Sequence, residues 1–249
     1  MPEIKRRTLL AGMAALPAAA CTELAETGPA GDIFDAAEDW HRAAHRTLAS
    51  RQALAPEYAP DERSPDIKGN GTLRIETPEY RAAKANDFAD WRLSVTGLVD
   101  NPLSLSMDDL RALPQRTQIT RHDCVEGWSA IAEWTGPQLS ALLDAAKLRK
   151  EANFIIFRCA DVLYDRAYYE SVDLIDAYHP QTIIAHDLNG APLPEKNGAP
   201  LRMRIERQLG YKHAKYLTGI EALASFDDIE GGKGGFWEDL GDYQWYAGI

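Results

Sequence analysis

Residues 121–134 read RHDCVEGWSAIAEW and gather a cysteine, a histidine, an arginine and two tryptophans into one short stretch. The whole chain has 3 cysteines. The placing of Cys124 among Arg121, His122, Asp123 and Glu126 therefore asks for a reason. A lone cysteine beside apolar residues is usually a small buried hydrophobe. The polar flanks instead read as a loop, where two functional roles compete. As a nucleophile, Cys124 needs a histidine base and an orienting partner, for which His122, His179 and His186 are candidates. As a ligand, its thiolate suits a soft metal. A zinc site normally takes four protein ligands at regular spacing, and His122 two positions before Cys124 is a poor start for one. A single protein thiolate suffices when a cofactor brings the other sulfurs.

A second concentration of chemistry lies further along. Between positions 202 and 215 stand Arg202, Arg204, Arg207, Lys212 and Lys215 against one acid, Glu206, in a chain of net charge −11. Arg grips phosphate bidentately and Lys acts as a point charge, so the cluster reads as an anion site. The alternation of Arg202, Arg204 and Glu206 also fits a solvated strand face. Asn197-Gly198-Ala199-Pro200 just upstream would bring a turn and an amide to the same place. Elsewhere His41 and His45 have the i, i+4 spacing of a metal pair. No third ligand accompanies them, and they read as a solvated helix face.

The elements that must position these groups are short. The three- and four-residue recurrence of apolar positions predicts a helix over 32–52, followed by an extended, Pro-bearing arm over 55–71. The folded body is expected to start near Leu73. WRLSVTGLV (91–99) alternates as a strand. Ser106 and Asp109 are spaced as a capping box for a helix over 107–113, stopped by Pro114. Pro137 is expected in the first turn of a helix that carries Leu139, Leu142, Leu143 and Ala146. Residues 153–160 read as a buried strand and 171–179 as a short helical segment. Asn189-Gly190 signals a hairpin, and 201–206 and 215–223 complete the strands. Neither a βαβ rhythm nor a Gly-rich phosphate loop is present, which argues against a Rossmann fold. The expected fold is α+β: a single mixed-sheet domain over 73–225, with an N-terminal helical arm (21–72) and a Gly- and aromatic-rich tail (226–249). Five aromatics between Phe236 and Tyr246 predict that the tail docks.

The chain begins with a basic region and an apolar run from Leu9 to Ala20, too short to span a bilayer, which needs ~20 residues. Residues 1–20 read as an export signal, and the paired Arg6-Arg7 resembles the twin-arginine type. The expected location is the periplasm. Ala18-Ala19-Ala20-Cys21 fits both a cleavage site and a lipidation site, which makes Cys21 a candidate lipid anchor. Hydrophobic content of 45% and charged content of 26% are ordinary for a globular protein. The acidic balance excludes nonspecific nucleic-acid binding, which runs on phosphate neutralisation.

HDCVEGWS, W-x-G at 134–136 and DLNGAPLPEKNGAPLRMRIERQLGYKHAKYL (187–217), in that order, resemble the sulfite oxidase-type molybdopterin oxidoreductases. The likeness is to the bacterial periplasmic branch that includes the methionine-sulfoxide reductase catalytic subunit, over roughly residues 73–225. The resemblance implies molybdenum on a bare molybdopterin, with Cys124 as the one protein thiolate on the metal. It implies that Asn197 and Arg202 hold the pterin and its phosphate, and that His213, Ala214 and Lys215 close on that phosphate. Cys159 stands where the reductase has a threonine touching the cofactor. Asn86 is the N-terminal contact it offers. Arg121 and His122 become candidates to bind an oxyanion or polarise an S=O bond, with salt bridges to Asp123 or Glu126 as their plainer role. The implied activity is oxygen-atom transfer on a small oxo substrate, in the branch's direction the reduction of a sulfoxide, with sulfite oxidation as the alternative. The implied electron partner is a membrane b-type cytochrome, since the chain has no C-x-x-C-H haem motif of its own. A binding lipoprotein on the same fold and a cysteine hydrolase are the readings from other classes.

Overall fold

The computed structural model describes residues 29–48 and 50–249, so the export-signal and Cys21 readings lie outside the described residues. Two compact units divide at residue 49. The first holds α1 (Pro29–Leu48), which covers most of the predicted helix. Pro29 stands at its first position, where the missing N–H costs nothing. Among the described residues no helix is long and apolar enough to cross a membrane.

The second unit, Ser50–Ile249, carries the other described elements. After α2 (Pro78–Ala85) come β1 (Arg92–Gly97) and β2 (Leu103–Ser106), then α3 (Met107–Ala112). The capping box forms as its spacing predicts: the Ser106 hydroxyl accepts from the Asp109 amide at 3.1 Å, and the Asp109 carboxylate accepts from the Ser106 amide at 2.9 Å. The long hairpin β3 (Gln115–Cys124) and β4 (Trp128–Pro137) follows, then α4 (Leu139–Ala146). Next are β5 (Phe154–Leu163), β6 (Arg166–Asp173), α5 (Leu174–Ala177), β7 (Ile183–Ala185), β8 (Asp187–Leu188) and β9 (Ala191–Pro192). The chain closes with β10 (Arg202–Arg204), β11 (Leu217–Leu223) and α6 (Phe236–Gly241).

Among the described residues three sheets result. Five strands pair in the order β2-β1-β11-β5-β6, four in the order β3-β4-β8-β9, and β10 pairs with β7. The largest sheet is mixed: β1 runs parallel to β11 and the remaining pairs are antiparallel. This is the expected α+β class. Leu93 and Val95 of β1, Ile155, Ile156 and Phe157 of β5, and Leu139, Leu142 and Leu143 of α4 are fully buried in the main core. A smaller core beneath the β3-β4 hairpin gathers Trp134, Ala132, Ile183, Ala185 and Ile67. At the β8-β9 turn Asn189 and Gly190 both take positive φ, 52° and 76°, as the Asn-Gly hairpin signal requires.

Four expectations are corrected. The stretch around Cys124 is a strand rather than a loop. On β3 the inward positions are Gln118, Thr120, His122 and Cys124, so the buried face is polar and leaves no hydrophobic alternation to read. Pro137 ends β4 instead of opening a helix, and α4 starts at Leu139. Residues 171–173 finish β6, where Asp173 caps α5 by accepting from the Asp176 amide at 3.0 Å. The packed body begins at Ser50, well before Leu73. The arm lies on the hairpin through main-chain bonds, Tyr58 N–H to the Ile119 carbonyl at 2.9 Å and Ser64 N–H to the Ile131 carbonyl at 2.8 Å. Backbone bonds of this kind have no side-chain signature.

Candidate active site

Cys124 is the last residue of β3, opposite Trp128 of β4. The connecting turn closes with the Gly127 amide donating to the Cys124 carbonyl at 3.0 Å, Gly127 taking a φ of 84°. This tip points a buried thiol toward the arm, where the Asn70 amide nitrogen lies 3.7 Å from Sγ. Burial raises the Cys124 thiol above its ordinary value. Both Cys124 and Cys159 are free thiols.

The strand's two-residue period separates the two polar neighbours of Cys124. His122 shares its buried face, while Arg121 points to the other side and pairs with Asp123 at 2.9 Å. Arg121 is thus not brought to the site, and the plainer salt-bridge role is the one seen. His122 is held inside a charged network. The Arg204 Nη1 donates to His122 Nδ1 and to His213 Nδ1, each at 2.8 Å. Arginine only donates, so each ring accepts at Nδ1 and carries its proton on Nε2. The His213 Nε2–H donates to the carbonyls of Ile205 (2.9 Å) and Gln208 (3.1 Å). Burial, then the Arg204 charge, pushes both imidazoles well below their ordinary value. His122 is a neutral ring supporting Arg204, and it does not face the cavity beside Cys124.

Arg204 in turn is fully buried and pairs with Glu206 through two bonds, Nε to Oε1 at 3.0 Å and Nη2 to Oε2 at 2.5 Å. Gln118 of β3 donates to the same carboxylate at 2.8 Å. Trp134, the second indole of the opening stretch, explains itself here. The guanidinium carbons of Arg202 and Arg204 lie 4.9 and 4.4 Å from its ring centroid, a cation–π arrangement in a desolvated setting. The basic cluster is therefore a buried structure and not a solvated strand face.

Two of its cations lack acids. Arg202 is buried, donates to the Asn197 carbonyl at 3.0 Å, leaves Nε unbonded and makes no ion pair among the described residues. Burial, with Arg204 alongside, pushes it down to about 9. Lys215 is buried too. Its ammonium donates to the carbonyls of Asn70 (2.6 Å), Thr72 and Lys196 (3.4 Å). Burial, then Arg202, lowers it to about 7. Asn197 donates to the Lys68 carbonyl at 3.3 Å, while its Oδ1 is buried without a partner. Gly198 makes this meeting feasible: it takes a φ of 108°, and a Cβ there would stand 2.9 Å from Lys215 Cβ.

A cavity of about 320 Å³ runs beside these groups, and Lys215, His213, Asp161, Glu126 and Asn70 line it. Cys159 lies on β5 opposite Leu217, half-buried against the main core, and its thiol is raised well above the ordinary value by burial and then by Asp161. Two positions on, Asp161 reaches the cavity. Asn86 is not brought to the group. It caps the end of α2 and donates to Asp90 at 2.7 Å on the surface. The amide near Cys124 is Asn70, whose one signal in the sequence is an Asn between two glycines in an otherwise uninformative arm. Asp161, Gly210 and the Arg204–Glu206 pairing with the two histidines were also missed.

Residues 80–228 match the family described as oxidoreductase molybdopterin binding domain. The chain belongs to this family. Among relatives, the putative protein-methionine-sulfoxide reductase subunit YedZ1 of Azospira oryzae is 40% identical over 162 residues, covering 65% of this chain and 57% of that protein. The protein-methionine-sulfoxide reductase catalytic subunit MsrP of Xanthomonas campestris pv. campestris is 30% identical over 187 residues, 70% of this chain and 56% of that protein. The chain thus spans a little over half the length of these relatives. The sulfane dehydrogenase SoxCD of Paracoccus pantotrophus shares the fold, with a TM-score of 0.51 and 22% identity over 55% of this chain and 39% of that one.

The residues present fit a molybdopterin. A buried guanidinium and a buried ammonium bonded to carbonyls alone complement a phosphate. Asn197 offers a free buried acceptor, and Cys124 offers a soft sulfur for the metal. In this molybdopterin-binding oxidoreductase domain, Arg202, Lys215 and Asn197 would hold the pterin end and Cys124 the molybdenum.

Proposed function

We propose that the chain is the catalytic part of an enzyme that reduces a sulfoxide to a thioether. The reaction balances: the sulfoxide takes up two electrons and two protons, its S=O bond breaks, and the thioether and one water leave. Molybdopterin, when bound, supplies oxygen-atom exchange with a two-electron change at the metal. The protein supplies the thiolate of Cys124, neutralises the phosphate with Arg202 and Lys215, and shapes the space beside the metal.

The charge of that space carries the reading. Among the cavity-lining residues the acids are Glu126 and Asp161, and the one lysine or arginine is Lys215. Lys215 is committed to the phosphate. His213 is neutral. An anion such as sulfite would meet two carboxyl groups and no spare cation, at an unfavourable Coulomb energy. A neutral oxo compound meets no such barrier. The relatives bearing the name methionine-sulfoxide reductase support the same direction. The electrons are assigned to a membrane b-type cytochrome, the pterin to its bare form, and the enzyme to the periplasm after twin-arginine export, with Cys21 as a candidate anchor.

The test is a paired assay on the cofactor-loaded protein: reduction of methionine sulfoxide by reduced viologen, against oxidation of sulfite by ferricyanide. The expected outcome is turnover of the sulfoxide and none of sulfite. The opposite pattern overturns the proposal.

A further inference from the structure

The matched family region ends at residue 228, yet two side chains beyond it, Trp237 and Tyr243, line the cavity beside Cys124. They are held there firmly. Lys212, fully buried, pairs with Glu170 of β6 at 2.7 Å and with Glu238 of α6. Phe236 stacks on Tyr168 with centroids 5.2 Å apart and planes at 25°. The Tyr169 hydroxyl donates to Asp239 at 2.5 Å. Past α6, the Leu209 amide donates to the Ala247 carbonyl at 2.9 Å and the Ile249 amide to the Arg207 carbonyl at 3.1 Å. The tail is therefore bonded to β6 and to the 207–213 segment that also carries His213.

This anchoring fixes an aromatic surface. Trp237 and Tyr243 stack with centroids 5.8 Å apart and planes at 25°. Tyr164 meets Trp237 edge-on at 6.5 Å, and Tyr211 meets Tyr243 edge-on at 5.1 Å. Val125, adjacent to Cys124 in the chain, and Leu163 line the same cavity. Glu238, the acid of this helix turned inward, is consumed by Lys212, so the tail adds aromatic surface to the cavity and no charge.

Resting on the sulfoxide-reductase reading, we propose that the tail is the specificity wall of this site. Trp237 and Tyr243 pack against the apolar arm of the substrate and favour sulfoxides with an aryl or long alkyl group over dimethyl sulfoxide. Apolar contact with an aromatic face is tolerant of orientation, and it strengthens with the area buried. An arm larger than methyl gains from the wall; a methyl group does not reach it.

The experiment compares loaded wild-type protein with Trp237→Ala, Tyr243→Ala and the conservative Trp237→Phe. Two readouts are taken: kcat/KM for methyl p-tolyl sulfoxide and for dimethyl sulfoxide, and calorimetric binding of the two corresponding sulfones, which need no turnover. The expected result is a loss of about ten-fold for the tolyl compounds in each alanine variant, the loss of one well-packed contact. The dimethyl compounds should change less than about two-fold, and Trp237→Phe should restore most of the difference. An unchanged tolyl-to-dimethyl ratio in both alanine variants, in turnover and in sulfone binding, overturns the wall. Wild-type protein that binds tolyl sulfone through Trp237 but reduces neither sulfoxide would leave the wall standing and overturn the reductase reading instead.

Discussion

At the scale of single residues, the site is defined by which charges lack a counter-charge. Arg204 has Glu206 and two imidazoles; Arg202 and Lys215 have carbonyls. That difference separates a structural cation from two ligand-seeking ones. Lys215 gives the sharpest consequence. In the cofactor-free folded chain it sits at about 7, below its ordinary value of 10.5. The unfolded chain therefore binds more protons than the folded one between those pH values, and folding stability rises with pH across that window. Below about 7 both states are protonated and the full penalty of the buried charge is felt. In cofactor-free protein, Lys215→Met should flatten the stability–pH curve between about pH 7 and 10 by up to about 1.4 kcal/mol per pH unit. Denaturant melts of the two proteins at several pH values measure this. Parallel curves would show that Lys215 is not a strained cation. Phosphate bound at the site would raise Lys215 again and remove the slope.

At the scale of elements, the hairpin tip and the 210–215 segment have to approach closely. Gly210 is the point of contact: a Cβ there would lie 2.5 Å from His122 Cε1 and 2.6 Å from Nε2. His122 cannot retreat freely, because Arg204 holds its Nδ1 and Trp128 lies 5.5 Å away. Gly210→Ala should destabilise the protein by about 1–3 kcal/mol, the usual range for overpacking. The pair Gly210→Ala with His122→Ala should cost less than the sum of the two, since the clash then has no partner. Strict additivity in thermal or chemical melts would refute the contact. The sequence disclosed such constraints unevenly. The Ser106–Asp109 cap and the Asn189-Gly190 turn were legible because local chemistry alone dictates them. The β3 strand was not, because its inward face is Gln118, Thr120, His122 and Cys124, residues that read as surface. Two of them meet partners brought from elsewhere, Glu206 for Gln118 and Arg204 for His122.

At the scale of the whole molecule, three separate stretches converge. The arm supplies Asn70, the hairpin supplies Cys124, and the 197–215 segment supplies Asn197, Arg202, His213 and Lys215. The sequence motifs named the last two stretches because residue type and order carry them. They misassigned the first, choosing Asn86 over Asn70, because an arm joined by main-chain bonds shows no pattern in its side chains. The tail adds a fourth stretch, fixed by the buried Lys212 between Glu170 and Glu238. On the reading proposed here, the first three would hold one molybdopterin with its metal at Cys124, and the tail walls the cavity beside it. The most direct test is the molybdenum content of the chain, produced in a host that makes the cofactor, measured by elemental mass spectrometry beside Cys124→Ala. The account predicts about one molybdenum per chain in the wild type, and loss of the metal or a changed sulfur coordination by X-ray absorption in the variant. Wild-type protein without molybdenum, or a Cys124→Ala variant with the same metal content and the same sulfur shell, would contradict it.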